Sequence, residues 1–150
     1  MKNMFVFLMI VLASFSVNAQ VSDKQIEDVI TYANDEYKDV LLYNMTFSKK
    51  EKEAFWPLLN EYLKKREPLV KEQLKMSVKD ISELNDRQIK KMSLEVMEVT
   101  LNLENLKKDY LKKIMKELSA KNFMRFYQID HFIEIARDYK LSSMMPLVRG

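Results

Sequence analysis

The sequence predicts an all-α protein of four helices, because it is poor in turn residues and has helical apolar spacing in four segments. Its 150 residues include one Gly and three Pro, too few for the many tight turns of a β-rich protein. In each segment apolar side chains recur every three or four positions, on one helix face. Each segment follows a residue that can cap a helix N-terminus: Ser22, Ser48, Asn85 and Ser119. In the first three, a Gln or Glu three positions later can complete a capping box.

The first helix is expected to follow Ser22 and the second to follow Ser48. Two prolines, Pro57 and Pro68, interrupt the second segment. Each removes a backbone hydrogen bond and pushes its ring toward the carbonyl four residues earlier. The segment is therefore expected either to bend at both prolines or to divide into two shorter helices. A bent helix lying against a long one would produce a curved, cradle-like surface.

The third helix is the most regular, since its apolar residues alternate between spacings of three and four from Ile89 to Tyr110. This pattern predicts a helix from about Asp86 to Glu117, about 50 Å long at 1.5 Å per residue. A second apolar stripe widens its buried side, so the helix either packs against two neighbours or exposes an apolar strip. The second stripe consists of Met97, Leu101, Leu111 and Met115.

The fourth helix has a broad apolar side that begins with Phe123 and Phe126. Residues 76–84 are expected to link the second and third helices, and residues 141–150 to form a tail in which Pro146 blocks the helix. Residues 20–150 are interpreted as a single domain. The chain has no cysteine, so helix packing rather than disulfide bonds must stabilise it.

The N-terminus predicts export. Lys2 precedes an apolar run from Met4 to Phe15, and the small residue Ala19 follows at a cleavage-like position. This pattern is typical of a secretory signal peptide, here residues 1–19, and the run is too short to span a bilayer. We therefore expect a soluble periplasmic protein without an integral membrane segment, with an uncleaved signal anchor as the alternative.

The charge and the polar residues argue against several function classes. Removal of the signal, which contains one Lys and no acid, lowers the formal net charge from +3 to +2, so neither nucleic acid nor an anionic membrane is an expected partner. A nucleophilic triad would have to use His131, which lies on a helix among Asp130, Glu134 and Asp138 and is not expected to be catalytic. The single Gly, at the last position, excludes a Gly-rich phosphate loop. We expect no enzyme activity and no cofactor. Asp130, His131 and Glu134 could share a helix face and bind a divalent metal, but a solvated polar face is the simpler interpretation, and no metal site is predicted.

Methionines and lysines are frequent and interleaved along the second, third and fourth segments. Methionine side chains can fill a core, form an adaptable binding surface or bind Cu(I), and their core-like spacing favours packing. Lysines beside an exposed apolar stripe would help a surface to attract and hold partly unfolded segments.

Two stretches of the sequence are related to each other and lie 71 positions apart. Phe47-Ser-Lys-Lys-Glu51 leads into Phe55-Trp-Pro-Leu58, and Leu118-Ser-Ala-Lys-Asn122 leads into Arg125-Phe-Tyr-Gln128. They resemble the paired LTXXQ motifs of the Spy/CpxP family of periplasmic chaperones and envelope stress regulators, particularly its small exported members in Bacteroidetes. Neither copy has the literal motif, since Phe, Ser, Glu and Asn replace family residues. The motif residues are Phe47, Ser48, Glu51, Phe55, Trp56, Pro57, Leu118, Ser119, Asn122, Arg125, Phe126 and Gln128.

The resemblance implies a cradle-shaped antiparallel homodimer of four-helix protomers. It also implies an ATP-independent chaperone that binds unfolded or misfolded envelope proteins and suppresses their aggregation. The alternative is a regulatory subunit that binds a membrane stress sensor, and metal sensing is a third hypothesis. The residues expected to contact client proteins are Tyr62, Lys65, Arg66, Met97, Leu101, Lys108, Met115 and Phe123.

Overall fold

The computed structural model describes residues 22–82 and 84–144, which form four α-helices and no strand. The helices are α1 (Asp23–Asn44), α2 (Lys49–Ser77), α3 (Asp86–Glu117) and α4 (Ala120–Met144). The predicted all-α fold is confirmed, and α3 has the predicted bounds. None of these helices has the length and apolar content needed to cross a bilayer. The predicted signal peptide and the end of the predicted tail, residues 145–150, lie outside the described residues.

All four predicted caps are present. In α1, Ser22 Oγ accepts a hydrogen bond from Gln25 N at 3.3 Å, and the Gln25 side chain accepts one from Ser22 N at 2.8 Å. Equivalent capping boxes start α2 and α3. At the start of α4, Ser119 Oγ accepts from Asn122 N at 3.3 Å. Each cap satisfies backbone N–H groups that a helix leaves without intrahelical partners.

Helix α2 continues through both of its prolines as one element of 29 residues. The prediction of two shorter helices is therefore wrong. Pro57 and Pro68 are exposed, as are Glu53 and Lys64, whose carbonyls lose their intrahelical donors. Because these residues lie at the surface, water can replace the missing hydrogen bonds. The helix ends at Ser77, so the linker is slightly later than predicted.

Successive helices run antiparallel, in an up-down-up-down order. Lys75 near the end of α2 forms an ion pair with Asp23 at the start of α1, with Nζ and Oδ1 2.7 Å apart. Among the four described helices, α2 and α3 make the most extensive contact. Helices α2 and α4 are parallel to each other, and their N-termini lie side by side at one end of the bundle.

The main core lies at this end of the bundle, where α2 and α4 begin and α1 and α3 finish. The side chains of Leu41, Phe55, Leu59 and Ile114 are almost completely buried there. The whole cluster comprises Tyr37, Leu41, Met45, Phe55, Leu59, Tyr62, Leu63, Tyr110, Ile114, Leu118 and Phe126. Burial of these side chains supplies most of the apolar stabilisation that a cysteine-free chain of this size requires.

We expect Leu59→Ala to lower the free energy of unfolding by about 2–5 kcal/mol, because it removes a side chain from a fully packed site. Leu59 is 0% exposed, whereas Leu94 on α3 is 67% exposed. The matched variant Leu94→Ala should therefore change stability by no more than about 0.5 kcal/mol. Urea denaturation followed by circular dichroism measures both values. Equal losses in the two variants would contradict this assignment of the core.

Candidate functional site

The two related motifs meet in space at the N-termini of α2 and α4. The carboxylate of Glu51 accepts hydrogen bonds from Ser48 N at 2.9 Å and from Ser119 N at 2.8 Å. It also accepts one from Asn122 Nδ2 at 3.1 Å. Asn122 occupies the position in α4 that Glu51 occupies in α2, but it does not cap its own helix in the same way. Glu51 therefore completes the caps of both helices, an arrangement called here the shared cap.

Two further hydrogen bonds join α4 to the last residue of α1 and to the segment that follows it. Asn122 Nδ2 donates to the carbonyl of Thr46 at 3.1 Å, and Arg125 Nε donates to the carbonyl of Asn44 at 2.6 Å. Both carbonyls lie at or just after the C-terminus of α1, where backbone carbonyls have no intrahelical N–H donor. The polar motif residues Asn122 and Arg125 thus hold the N-terminus of α4 against the C-terminal end of α1.

Aromatic side chains pack directly behind the shared cap. The Phe55 ring lies 4.7 Å from the Phe47 ring and meets the Phe126 ring edge-on at 5.2 Å, between centroids. Trp56 packs edge-on against Phe55 at 5.2 Å. Leu118 is buried in the same core. Phe55 and Phe126 occupy equivalent positions of the two motifs. The two copies of the motif therefore each place a phenylalanine in the same part of the core.

The remaining motif residues, Pro57 and Gln128, are exposed. Most of the motif is therefore engaged in joining helix ends and forming the core. Its Ser, Glu and Asn side chains find their hydrogen-bond partners within the protein. The shared cap has the properties of a structural joint rather than of a surface that binds another molecule.

The environment of Glu51 keeps its carboxyl group ionised. Hydrogen bonds from the backbone of Ser119 and Ser48, together with side-chain hydrogen bonds from Ser48 and Asn122, lower the pKa of Glu51 to about 2. Donors that bind the charged form of a carboxyl group favour that form. A carboxylate this difficult to protonate suits permanent capping and is unsuited to general acid–base catalysis at neutral pH.

A groove between α3 and α4 brings together several of the residues predicted to contact clients. It has a volume of about 450 Å³, and Leu111, Met115, Phe123 and Tyr127 supply its apolar lining. The imidazole of His131 stacks on the Tyr127 ring, with 6.1 Å between centroids and 8° between planes. The groove is bordered by Lys107, Lys108 and Lys112 and also by Glu104 and Glu134.

An exposed apolar row continues from this groove along α3. Met97, Leu101 and Met115 are 66%, 61% and 53% exposed. Residues four or seven positions apart share a helix face, and steps of four, seven and seven positions lead from Met97 through Leu101 and Lys108 to Met115. These three apolar residues are called here the α3 row. The fourth residue of the second stripe, Leu111, is half-buried against the core, so the stripe is exposed at three of its four positions.

The other predicted client-contact residues lie elsewhere. Tyr62 is buried in the core, where its ring lies 5.4 Å from the Tyr110 ring. Lys65 forms an ion pair with Glu61 at 2.8 Å on the exposed side of α2. Arg66 lines a separate cleft between α1, α2 and α4. The eight residues therefore do not form one surface, and only Met97, Leu101, Lys108, Met115 and Phe123 lie on the α3–α4 side.

A mostly buried charged cluster, which the sequence did not predict, joins α1, α3 and α4. The Tyr37 hydroxyl donates to Asp130 Oδ1 at 2.9 Å, and Lys107 Nζ lies 2.9 Å from Asp130 Oδ2. The ion pair to Oδ2 lacks the angle of a hydrogen bond, so this oxygen accepts none. Lys107 also forms an ion pair and a hydrogen bond with Glu134. The sequence did contain a signal for this cluster. Asp130 lies on the apolar stripe of α4, between Phe126 and Ile133, and an acidic residue at such a position indicates a buried charge with a partner.

The electrostatics of the cluster follow from its burial. Burial on its own lowers the pKa of Lys107, but the hydrogen bond to Glu134 and the ion pair with Asp130 outweigh burial and raise the pKa. Burial raises the pKa of Tyr37 well above its usual value, and the adjacent Asp130 raises it further. Lys107 is therefore held as a cation between two carboxylates, while Tyr37 stays a neutral donor.

The cluster also bears on the metal hypothesis. The carboxylates of Asp130 and Glu134 face Lys107, whereas His131 stacks on Tyr127 at the surface. Within residues 22–82 and 84–144 no three His, Asp or Glu side chains are grouped so that they could hold a metal ion. The three residues named in the hypothesis thus take part in separate protein contacts.

Comparison with known proteins identifies no relative, since no protein family, curated protein or solved structure matches this chain. The resemblance to the Spy/CpxP family therefore stays a prediction carried by the paired motifs. Functional inference for this chain depends on its own surfaces and contacts.

We expect Glu51→Gln to lower the melting temperature at pH 7, because the amide lacks the charge that binds both helix N-termini. The pKa of Glu51 is lowered from 4.5 to about 2. Its stabilising effect is therefore complete above about pH 4.5 and is lost as the pH falls from about 4.5 to about 2. Melting curves across this range should show the two proteins converging in acid.

The exposed neighbour Glu53 provides the matched control, because Glu53→Gln should leave the melting temperature at pH 7 unchanged. The pKa of Glu61 is also lowered to about 2, by hydrogen bonds from Lys65 and Tyr110. Glu61 therefore adds the same pH dependence of stability to wild type, Glu51→Gln and Glu53→Gln. A constant difference between wild type and Glu51→Gln from pH 7 to pH 2 would show that the charge of Glu51 is not what stabilises the joint.

Lys107→Met should lower the free energy of unfolding at pH 7 by about 1–3 kcal/mol, since it leaves the buried Asp130 without its cation and leaves Glu134 with only Arg137, 3.8 Å away. Adding Asp130→Asn should recover part of the loss, because the two residues interact directly. The exposed neighbour variant Lys108→Met should change stability by no more than about 0.5 kcal/mol. Additive losses in the double variant, measured by urea denaturation, would exclude direct coupling.

Proposed function

We propose that this protein is an ATP-independent chaperone that binds unfolded or misfolded proteins of the cell envelope and suppresses their aggregation. The observation that carries the proposal is the α3 row, in which Met97, Leu101 and Met115 are all more than half exposed. The row joins the apolar α3–α4 groove with its border of lysines. Exposed apolar surface of this kind marks a site of interaction with another molecule.

The chemistry of the surface suits clients without a fixed shape. Methionine side chains are flexible and polarisable, so Met97 and Met115 can adapt to different apolar partners. Lys108 and Lys112 stand beside the groove and would attract acidic segments before apolar contacts form. Neither interaction requires nucleotide hydrolysis, because release depends only on the client burying its own apolar residues as it folds.

The cellular setting and the assembly belong to the same proposal. The predicted signal peptide at residues 1–19 supports delivery to the periplasm. The resemblance of the paired motifs to the Spy/CpxP family supports a cradle-shaped antiparallel homodimer, whose concave face would hold the client. In a dimer, two α3 rows would double the apolar area available to one unfolded chain and raise its affinity through multivalency.

Two unrelated denatured proteins should both aggregate less when diluted into the purified protein without nucleotide, as measured by light scattering. The triple variant Met97→Gln/Leu101→Gln/Met115→Gln should suppress aggregation at least about 10-fold less effectively, because each substitution replaces apolar contact area by a hydrated amide. The protein concentration that halves the scattering gives the measurement.

A matched triple variant tests whether the location of the apolar residues matters. Leu42, Tyr43 and Val78 are also exposed but lie away from α3, so their replacement by Gln should leave suppression unchanged. Equal losses in both triple variants, or no suppression by the wild type, would contradict the proposal. Saturable binding to one membrane sensor without suppression would instead identify a dedicated regulatory subunit.

A further inference from the structure

A second cavity lies between α1, α2 and α4, and the residues that line it all belong to these three helices. This apolar cleft has a volume of about 240 Å³. Ala33 on α1 and Ala136 on α4 both line it, and their single methyl groups leave space that larger side chains would fill. The rest of its wall is mainly apolar and is formed by Val29, Ile30, Val70, Leu74, Phe132 and Ile133.

One cation projects into the apolar cleft from α2. Arg66 is half-buried among the lining residues. Burial raises the pKa of Tyr37, Tyr62 and Asp138, and in each case the charge of Arg66 acts in the opposite direction. The guanidinium therefore lies close to groups on α1, α2 and α4. Among the described residues, no carboxylate forms an ion pair with it.

The other charged groups that line the cleft are largely matched within the protein. Asp130 and Glu134 form ion pairs with Lys107. Arg137 forms an ion pair with Asp138 at 2.8 Å and lies 3.8 Å from Glu134. Lys140, Glu36 and Glu67 also line the cleft, and the two glutamates would repel a ligand that carries more than one negative charge. The charge pattern therefore fits a ligand with a single negative charge at Arg66.

We propose that the apolar cleft binds an aliphatic carboxylate, with its chain against the apolar walls and its carboxylate on the Arg66 guanidinium. Arginine presents parallel N–H donors that match the two oxygens of a carboxylate. The apolar lining with one convergent charged group is the usual composition of a small-molecule site. This ligand site is separate from the α3 row and does not depend on the proposed chaperone function.

Isothermal titration calorimetry with decanoate, kept below its critical micelle concentration, tests the proposal on the purified protein. We expect one saturable site per chain. Arg66→Met should weaken decanoate binding at least about 10-fold, because it keeps the length of the side chain but removes the charged donors. Decanol should bind more weakly than decanoate and should be insensitive to Arg66→Met, since it carries no charge. Acetate should not bind, because it lacks the chain.

Matched variants separate the cleft from general effects. Ala136→Leu should block decanoate binding by filling the cleft, whereas Ala120→Leu, exposed at the start of the same helix, should not. Lys64→Met removes an exposed cation two positions before Arg66 and should leave the affinity unchanged. Circular dichroism establishes that each variant is folded, and Arg66→Met remains decisive should Ala136→Leu fail to fold.

Several outcomes would overturn the proposal. These are the absence of saturable decanoate binding, equal affinities of wild type and Arg66→Met, and an equal loss in Lys64→Met. Displacement of decanoate by the denatured client proteins would assign the cleft to client binding instead. Aggregation suppression by Arg66→Met should match that of the wild type, so failure of the chaperone proposal and failure of the cleft proposal are distinguishable.

Discussion

The carboxylate of Glu51 between the N-termini of α2 and α4 is the interaction on which the arrangement of the bundle depends. These two helices are parallel, so the positive ends of their dipoles lie side by side and repel each other. The single negative charge, bound to Ser48 N and Ser119 N, offsets this repulsion and satisfies donors of both helices. The parallel pair can then approach closely enough for Phe55 and Phe126 to pack edge-on behind it.

The two ends of the bundle differ because only one of them has this joint. At the joint, polar caps and aromatic packing converge on the main core. At the opposite end, α1 and α2 are connected by exposed ion pairs such as that between Asp23 and Lys75, and exposed pairs of this kind contribute little to stability. The apolar cleft lies between α1, α2 and α4 where packing is incomplete, whereas the exposed α3 row lies on a helix that does not line the cleft.

Much of the fold follows from local sequence signals. Capping residues and apolar periodicity predicted four helices, and both bounds of α3 were confirmed, because those signals depend only on neighbouring residues. The repeat of Phe55 and Phe126 indicated equivalent positions, but their direct contact depends on how distant helices pack. Periodicity also could not show that Met97 is exposed while Val99 is buried, because both lie on apolar stripes of one helix.

The candidate site was harder to predict for the same reason. Lys107 is one of several lysines in α3, and only tertiary packing reveals that it lies between Asp130 and Glu134. Helix α4 carries apolar residues on nearly every side, so its sequence does not specify which residues, such as Ile133 or Ile135, face a neighbour. Tyr62 was assigned to a surface because aromatic residues serve equally well in cores and in binding sites.

The shared cap also has a consequence for how the chain folds. The hydrogen bond from Ser119 N to Glu51 joins residues 68 positions apart, so the cap of α4 is completed only after the α3–α4 hairpin docks on the α1–α2 hairpin. The second half of the chain therefore lacks the carboxylate that completes the cap of α4. Folding of the two hairpins is thereby coupled, and an isolated second hairpin would begin α4 with a frayed first turn.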